Sequence, residues 1–183
     1  QDVISKVDFD YAASGKHAIK FGINNTLHHF QPGVQIQKNI LESDLAVDTL
    51  FGGDILSGDE LHLYFEDDYT LSHSLKANMG LRLVSYFAPE VSYLLPEPRL
   101  SIRYLANSNM AIKTAYSRSS QFIHMVSSSL ISLPTDLWFP VTDKIKPLTS
   151  DLYTLGLDID FLKWGTFTVE GYYKDLDNVL DVK

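Results

Sequence analysis

Few residues in this chain of 183 stand in a pattern that chemistry could use. Asp158 and Asp160 lie two apart in an alternating stretch, so both carboxylates project from one side of a strand. They are then about 6–7 Å apart, a spacing at which one carboxyl can serve as acid and the other as base. The same pair can equally line a wet surface. No nucleophile–base set or G-x-S-x-G sequence accompanies it, so the wet surface is the reading adopted. His28-His29 is the one adjacent histidine pair, but neighbours on a strand point to opposite sides and cannot share a metal. Asp67-Asp68 fails for the same reason. Gly52-Gly53-Asp54 through Asp59-Glu60 is acidic and glycine-rich, yet it lacks EF-hand spacing and reads as a solvated loop. No H-E-x-x-H or Walker sequence occurs. With no cysteine, thiolate zinc, iron–sulfur, disulfide and thiol-nucleophile chemistry are all excluded. The expectation is a non-catalytic protein without metal or other cofactor.

Composition narrows the class. The chain is 45% hydrophobic and 21% charged, which suits a folded domain rather than a disordered one. A net charge of -8 argues against nucleic-acid binding, which requires a basic surface to replace phosphate counterions. Ten Tyr, ten Phe and two Trp fit pleated surfaces. The opening QDVISKVDFDY has neither the basic nor the apolar region of a signal peptide and does not begin with Met, which suggests a chain processed or excised from something larger. No apolar run reaches 18 residues, so no transmembrane helix is expected. A membrane-spanning strand takes only about 9–11 residues and shows itself by alternation instead.

Alternation runs through most of the chain. Between Pro96 and Tyr116, Leu100, Ile102 and Tyr104 oppose Arg99, Ser101 and Arg103; Asn107-Ser108-Asn109 turns; Ile112, Thr114 and Tyr116 oppose Lys113 and Ala115. This is a β-hairpin with one apolar and one cationic face. Equivalent strands are read at 3–12, from 17 toward Phe30, at 61–71, 75–83, 153–161 and 167–174. The cleanest sets Leu75, Ala77, Met79, Leu81 and Leu83 against Lys76, Asn78, Gly80 and Arg82. The result is an all-β, antiparallel up-and-down meander of about eight strands, in a single unit spanning 1–183. Short polar turns fall near residues 14, 73, 108 and 164. Long loops fall near 34–60, where Ile40 to Leu50 could form one short helix, and near 127–149; an intermediate connection surrounds Pro89. Short turns thus lie at one edge and long loops at the other, as in a transmembrane β-barrel; a Greek-key sandwich would mix them. Tyr69, Tyr86, Tyr104, Tyr116, Phe161, Trp164 and Tyr173 lie mostly near strand ends, where they fit either an interfacial aromatic girdle or plain strand propensity.

Several stretches carry a family resemblance. They are L-P-E-P-R-L-S-I-R-Y at 95–104, A-I-K-T-A-Y-S-R at 111–118, P-T-D-L-W-F-P at 134–140, I-K-P at 145–147, S-D-L-Y-T-L-G at 150–156 and V-E-G-Y-Y-K-D-L-D-N at 169–178. K-H-A-I-K-F-G-I-N at 16–24 and L-Y-F-E-D-D at 63–68 fit the same pattern. In this order they resemble the barrel of TonB-dependent outer-membrane receptors, in the subgroup with a carboxypeptidase-regulatory-like N-terminal domain. The resemblance implies a segment of a 22-stranded wall in the cell outer membrane. Its partners would be lipid, a plug domain and TonB, and its cargo a large nutrient such as a ferric siderophore, cobalamin or glycan. Neither plug, TonB box nor regulatory-like domain is found within these 183 residues, so the chain reads as an internal slice of the barrel.

On that reading Arg82, Arg99, Arg103, Lys113 and Glu170 face the lumen or the plug, with ion pairing to the plug preferred over direct substrate contact. Trp138 and its neighbours in the long loop become external contacts. The competing reading is a soluble all-β ligand-binding module, which would bury Leu75, Met79, Leu81, Leu155, Leu157 and Phe161 inside. A slice standing alone would have to hide its apolar face, with self-association one of the ways.

Overall fold

Alternating polar and apolar residues punctuated by Ser, Asn and Gly fold here into long strands joined by tight turns. The computed structural model describes residues 2–30, 35–39, 47–51, 56–89, 91–126, 137–161 and 164–180. In chain order the strands are β1 (Asp2–Ala12), β2 (His17–Phe30), β3 (Gln35–Asn39), β4 (Val47–Phe51), β5 (Leu56–Thr70) and β6 (Leu75–Ala88). They continue with β7 (Val91–Asn107), β8 (Met110–Gln121), β9 (Ile123–Val126), β10 (Leu137–Pro140), β11 (Leu148–Asp160) and β12 (Thr166–Asp177).

Eight strands form one antiparallel sheet in the order β1-β2-β5-β6-β7-β8-β11-β12. β3 pairs with β4 and β9 with β10 as two-stranded ribbons inserted in the long connections. With the ribbons set aside every neighbour in the sheet is the next strand in the chain, which is the expected meander. The sheet stays open, with β1 and β12 as its edges. No helix occurs among the described residues.

Three local expectations change. Of the short helix expected over 40–50, residues 40–46 lie outside the described residues and 47–50 belong to β4, where pairing with β3 supplies their backbone partners. The first long connection ends earlier than its composition suggests. Asp59 and Glu60 are strand residues because β2 and β6 flank them, Glu60 lying opposite both Thr26 and Tyr86. Similarly β11 starts at Leu148 because Thr149 and Ser150 pair with β8 on one side and β12 on the other.

The short turns share a device. Ser14 Oγ accepts from the backbone N–H groups of Lys16 and His17, and Ser72 Oγ accepts from those of Ser74 and Leu75. Asn107 Oδ1 accepts from Asn109 N–H at 2.9 Å. A short side-chain acceptor thus satisfies backbone donors that the ladder leaves over. The fourth turn instead uses Gly165 at φ 122°, a conformation open to glycine.

One register row crosses all eight strands: Tyr11, Ile19, Asp67, Met79, Leu100, Tyr116, Tyr153, Tyr173. Its distance from the short-turn end of each strand grows across the sheet. It is one residue in β1, two in β2, three in β5 and four in β6, and reaches seven in both β11 and β12. That climb is roughly 20 Å along the strands for about 34 Å of sheet width, a tilt of about 30°. Strands closing into a barrel must tilt in this sense and to about this degree.

β7 breaks its pairing with β8 at the prolines. β6 pairs with β7 from Val91 to Tyr104, whereas the β7–β8 ladder runs only from Arg99 onward, past Pro96 and Pro98. Proline has no N–H to give a ladder. Beyond this point the Glu97 side chain takes over, accepting the Ser120 backbone N–H at 2.7 Å. The gap is filled by the buried cluster of Val84, Tyr86, Phe122 and Val141, against which Ala88, Tyr93 and Leu95 pack. Tyr86 and Phe122 stack at 5.0 Å. Val141 N–H donates to the Phe122 carbonyl and the Tyr93 hydroxyl donates to the Thr142 carbonyl, so the base of the β9–β10 ribbon is tied to the polar side of β6 and β7. Tyr86 therefore belongs to an internal cluster and not to an exposed girdle.

Candidate functional site

The sheet presents two chemically opposite faces. On one, Phe9, Phe21, Phe65 and Leu81 form a register row, and Val7, Ile23, Leu63 and Leu83 the next. All eight side chains are exposed. Leu155, Val169 and Phe167 continue this face, Leu155 being 62% exposed. So large a contiguous apolar surface on a sheet that encloses nothing marks contact with another phase or partner.

The edges of the band are polar and aromatic. Near the short turns His17 stacks on Tyr69 at 4.2 Å and meets Asp67 Oδ2 at 2.7 Å. Phe161, Trp164 and Tyr104 are exposed along the same edge, Trp164 at 93%. At the far side of the band Tyr116, Tyr153 and Tyr173 lie in register, with ring centroids 4.9 and 6.3 Å apart. Just beyond them the Tyr116 hydroxyl donates to Asp151, which Arg118 also approaches. Because the strands tilt, one register row supplies Tyr11 to one border and Tyr173 to the other.

The opposite face is polar and largely self-paired. Arg82 Nε donates to Glu97 at 2.6 Å, and its Nη2 reaches the same carboxylate. Glu97 is 0% exposed, so its charge is held by Arg82 and Ser120 N–H alone. Asn78 donates to both Glu66 and Asp68 at 2.7 Å. Lys6 pairs with Asp8, which also accepts from Tyr64. Lys113 pairs with Asp158, to which Thr168 also donates. A hollow of about 360 Å³ on this face is bordered by Lys6, Lys20, His62, Tyr64, Arg82 and Arg99.

Arg82, Arg99, Arg103, Lys113 and Glu170 all lie on this polar face. They do not form one cluster. Arg82 and Lys113 are committed to partners in the sheet itself. Arg99, Arg103 and Glu170 have no ion-pair partner among the described residues. The Asp158–Asp160 pair is not poised for acid–base work, since Asp158 is tied to Lys113 and Thr168.

The adjacent histidines separate as strand geometry requires. His28 turns to the polar face, with Nδ1 3.1 Å from Asp2 Oδ1 and Nε2 3.7 Å from Glu60 Oε2. His62 Nε2 lies 2.8 Å from Glu60 Oε1. Among the described residues no group of three or more His, Cys, Asp or Glu is arranged to hold a metal. Sequence reasoning missed Glu97 and the Tyr64–Asp8 bond. The P-E-P motif marks Glu97, because prolines on both sides leave a neighbouring strand's donor for its side chain. The Tyr64–Asp8 bond carries no sequence signal, since its members are 56 residues apart. The backbone of Trp138 lies in β10, paired with Met125.

Among solved structures, the fold resembles that of the siderophore receptor PirA from Acinetobacter baumannii, with a TM-score of 0.61 and 16% identity. The match covers 96% of this chain and 26% of that one, so this chain spans about a quarter of the receptor's length. No curated protein matches the sequence. Residues 7–183 match the family model described as TonB dependent receptor-like, beta-barrel, and with its two-faced, tilted, up-and-down sheet the chain belongs to that family.

Proposed function

We propose that this chain is a wall segment of a TonB-dependent receptor in the cell outer membrane, with its apolar face against lipid and its polar face lining the lumen. The role is non-catalytic. In the assembled receptor a plug domain fills the lumen, TonB supplies the energised pull, and a large nutrient (a ferric siderophore, cobalamin or glycan) is taken up. The observation that carries this reading is the uncovered apolar band bordered by aromatics on a sheet tilted by about 30°, in a chain of this family. The five polar-face residues divide on this view. Arg82 and Lys113 hold the wall together, while Arg99, Arg103 and Glu170 present charge to whatever occupies the lumen.

The competing soluble module finds little support, because Met79, Leu81, Leu155 and Phe161 are exposed instead of enclosed. Spin labels at Leu81→Cys and Ser101→Cys in the membrane-assembled protein test the choice. The expected result is relaxation by oxygen at position 81 and by a water-soluble nickel complex at position 101. A water-soluble monomer in which position 81 is shielded from both reagents would sink the membrane reading.

A further inference from the structure

Three cations stand side by side on the polar face. Lys76 on β6 is opposite Arg103 on β7, and Arg103 is opposite Lys113 on β8. Opposite residues on paired strands are about 5 Å apart, and like charges so placed repel. Arg99 adds a fourth cation two residues along β7.

The sheet neutralises only one of the three. Asp158 takes Lys113. The acids nearest Lys76 are already engaged, since Asn78 donates to both Glu66 and Asp68. Among the described residues neither Lys76, Arg103 nor Arg99 has an ion-pair or hydrogen-bond partner, and Arg99 and Arg103 are exposed. The two residues outside the description between β11 and β12, Leu162 and Lys163, carry no carboxylate. This cationic strip stands out in a chain of net charge -8.

We infer that the Lys76–Arg103–Lys113 ladder docks an acidic polypeptide segment that enters the lumen from outside this sheet, near its short-turn edge. The inference rests on the polar face being the lumen side. Two open cations on neighbouring strands call for two carboxylates about 5–6 Å apart, the spacing of an acidic pair three or four residues apart on one helix face. A hollow of about 290 Å³ bordered by Asp68, Thr70, Lys76, Asn78, Ser101 and Arg103 gives such side chains room. Arginine at the centre suits a carboxylate best, because its planar fork can grip both oxygens.

The test is zero-length carbodiimide coupling in the intact membrane-assembled receptor, read by mass spectrometry. Coupling joins a lysine amine to a carboxylate in contact, and the Lys113–Asp158 product serves as the internal standard. The expected result is an amide from Lys76 to an Asp or Glu in a segment outside residues 1–183. A Lys76→Gln, Arg103→Gln pair should abolish docking and raise the rate at which a charged maleimide labels Ser101→Cys. Formation of the Lys113–Asp158 product without any Lys76 conjugate overturns the inference. So does protection of Ser101→Cys by inorganic phosphate alone, which would make the strip a small-anion site. Paired labels at Leu100→Cys and Ser101→Cys separate the two levels. If position 100 meets water and position 101 meets lipid, the lumen reading falls and the docking with it. If the faces stand and no peptide is linked, only the docking falls.

Discussion

The Tyr64 hydroxyl donates to the Asp8 carboxylate across an entire intervening strand. Tyr64 is on β5 and Asp8 on β1, and the residue of β2 between them in register is Gly22. The ring can lie flat over β2 only because glycine has no side chain. A Cβ built at position 22 would sit 2.5 Å from the Val7 carbonyl oxygen and 2.8 Å from Tyr64 Cε1. Gly22→Ala should therefore destabilise the assembled protein by about 1–3 kcal/mol, the range for overpacking a filled site. Gly171→Ala, with nothing within 4 Å of the added carbon, should be close to neutral. Urea titration of both variants in the same detergent is the measurement. Equal midpoints would show that the strap is not held over Gly22.

Arg82 and Glu97 predict an asymmetric loss. Arg82→Ala strands a carboxylate that is 0% exposed, and breaking such a pair costs about 3–5 kcal/mol, nearer the lower figure because Arg82 is itself part exposed. Replacing both, as Arg82→Met with Glu97→Leu, should recover much of the loss. Unfolding midpoints of the single and double variants decide it. If Arg82→Ala leaves the midpoint unchanged, Arg82 does not carry the structural role given to it here.

The two faces should answer oppositely to the same substitution. Leu81→Arg places a charge on the apolar band and should cost about 2–4 kcal/mol near the middle of a bilayer. Ser101→Arg, on the polar face, should assemble normally. The folded fraction recovered from outer membranes reports the difference. Matching yields would contradict the lipid assignment.

His124, just outside the main sheet in β9, is buried, and burial pushes its imidazole below the ordinary value of 6.5; a backbone hydrogen bond with Lys146 offsets this in part. The folded form then binds fewer protons than the unfolded form as pH falls below 6.5, so local stability declines on acidification. Hydrogen exchange at the Val141 amide, which donates to the Phe122 carbonyl, should speed up from pH 7 to pH 5 beyond the intrinsic trend. His124→Gln should flatten that dependence. An unchanged profile in the variant would remove His124 as the source.

Much of the fold could be read from the chain, and the reason is local. Period-two patterns such as Leu75 to Leu83, with Ser, Asn and Gly between them, specify strands and turns without reference to distant residues. Strand ends were harder, because pairing with both neighbours carries polar residues such as Asp59, Glu60, Thr149 and Ser150 into strands. The candidate site was legible only by face. Alternation placed Arg82, Arg99, Arg103, Lys113 and Glu170 on one side, but which cations are already satisfied depends on register between strands. Lys113 meets Asp158 from 45 positions away, and nothing near either residue announces it.

The stagger across the eight strands also limits how such a wall can change. Each strand is offset by about one residue from its neighbour, so a closed cylinder is a count of offsets as well as of strands. Removing one hairpin would subtract two strands and about two residues of climb together, and the remaining edges could still meet in register. A single residue inserted within one strand has no such remedy. It would invert every side chain beyond it and displace the seam for the whole ring. Long connections such as that between β8 and β11 lie outside this constraint. Variation should therefore enter such proteins by whole hairpins or by loops, and hardly at all by single steps within a strand.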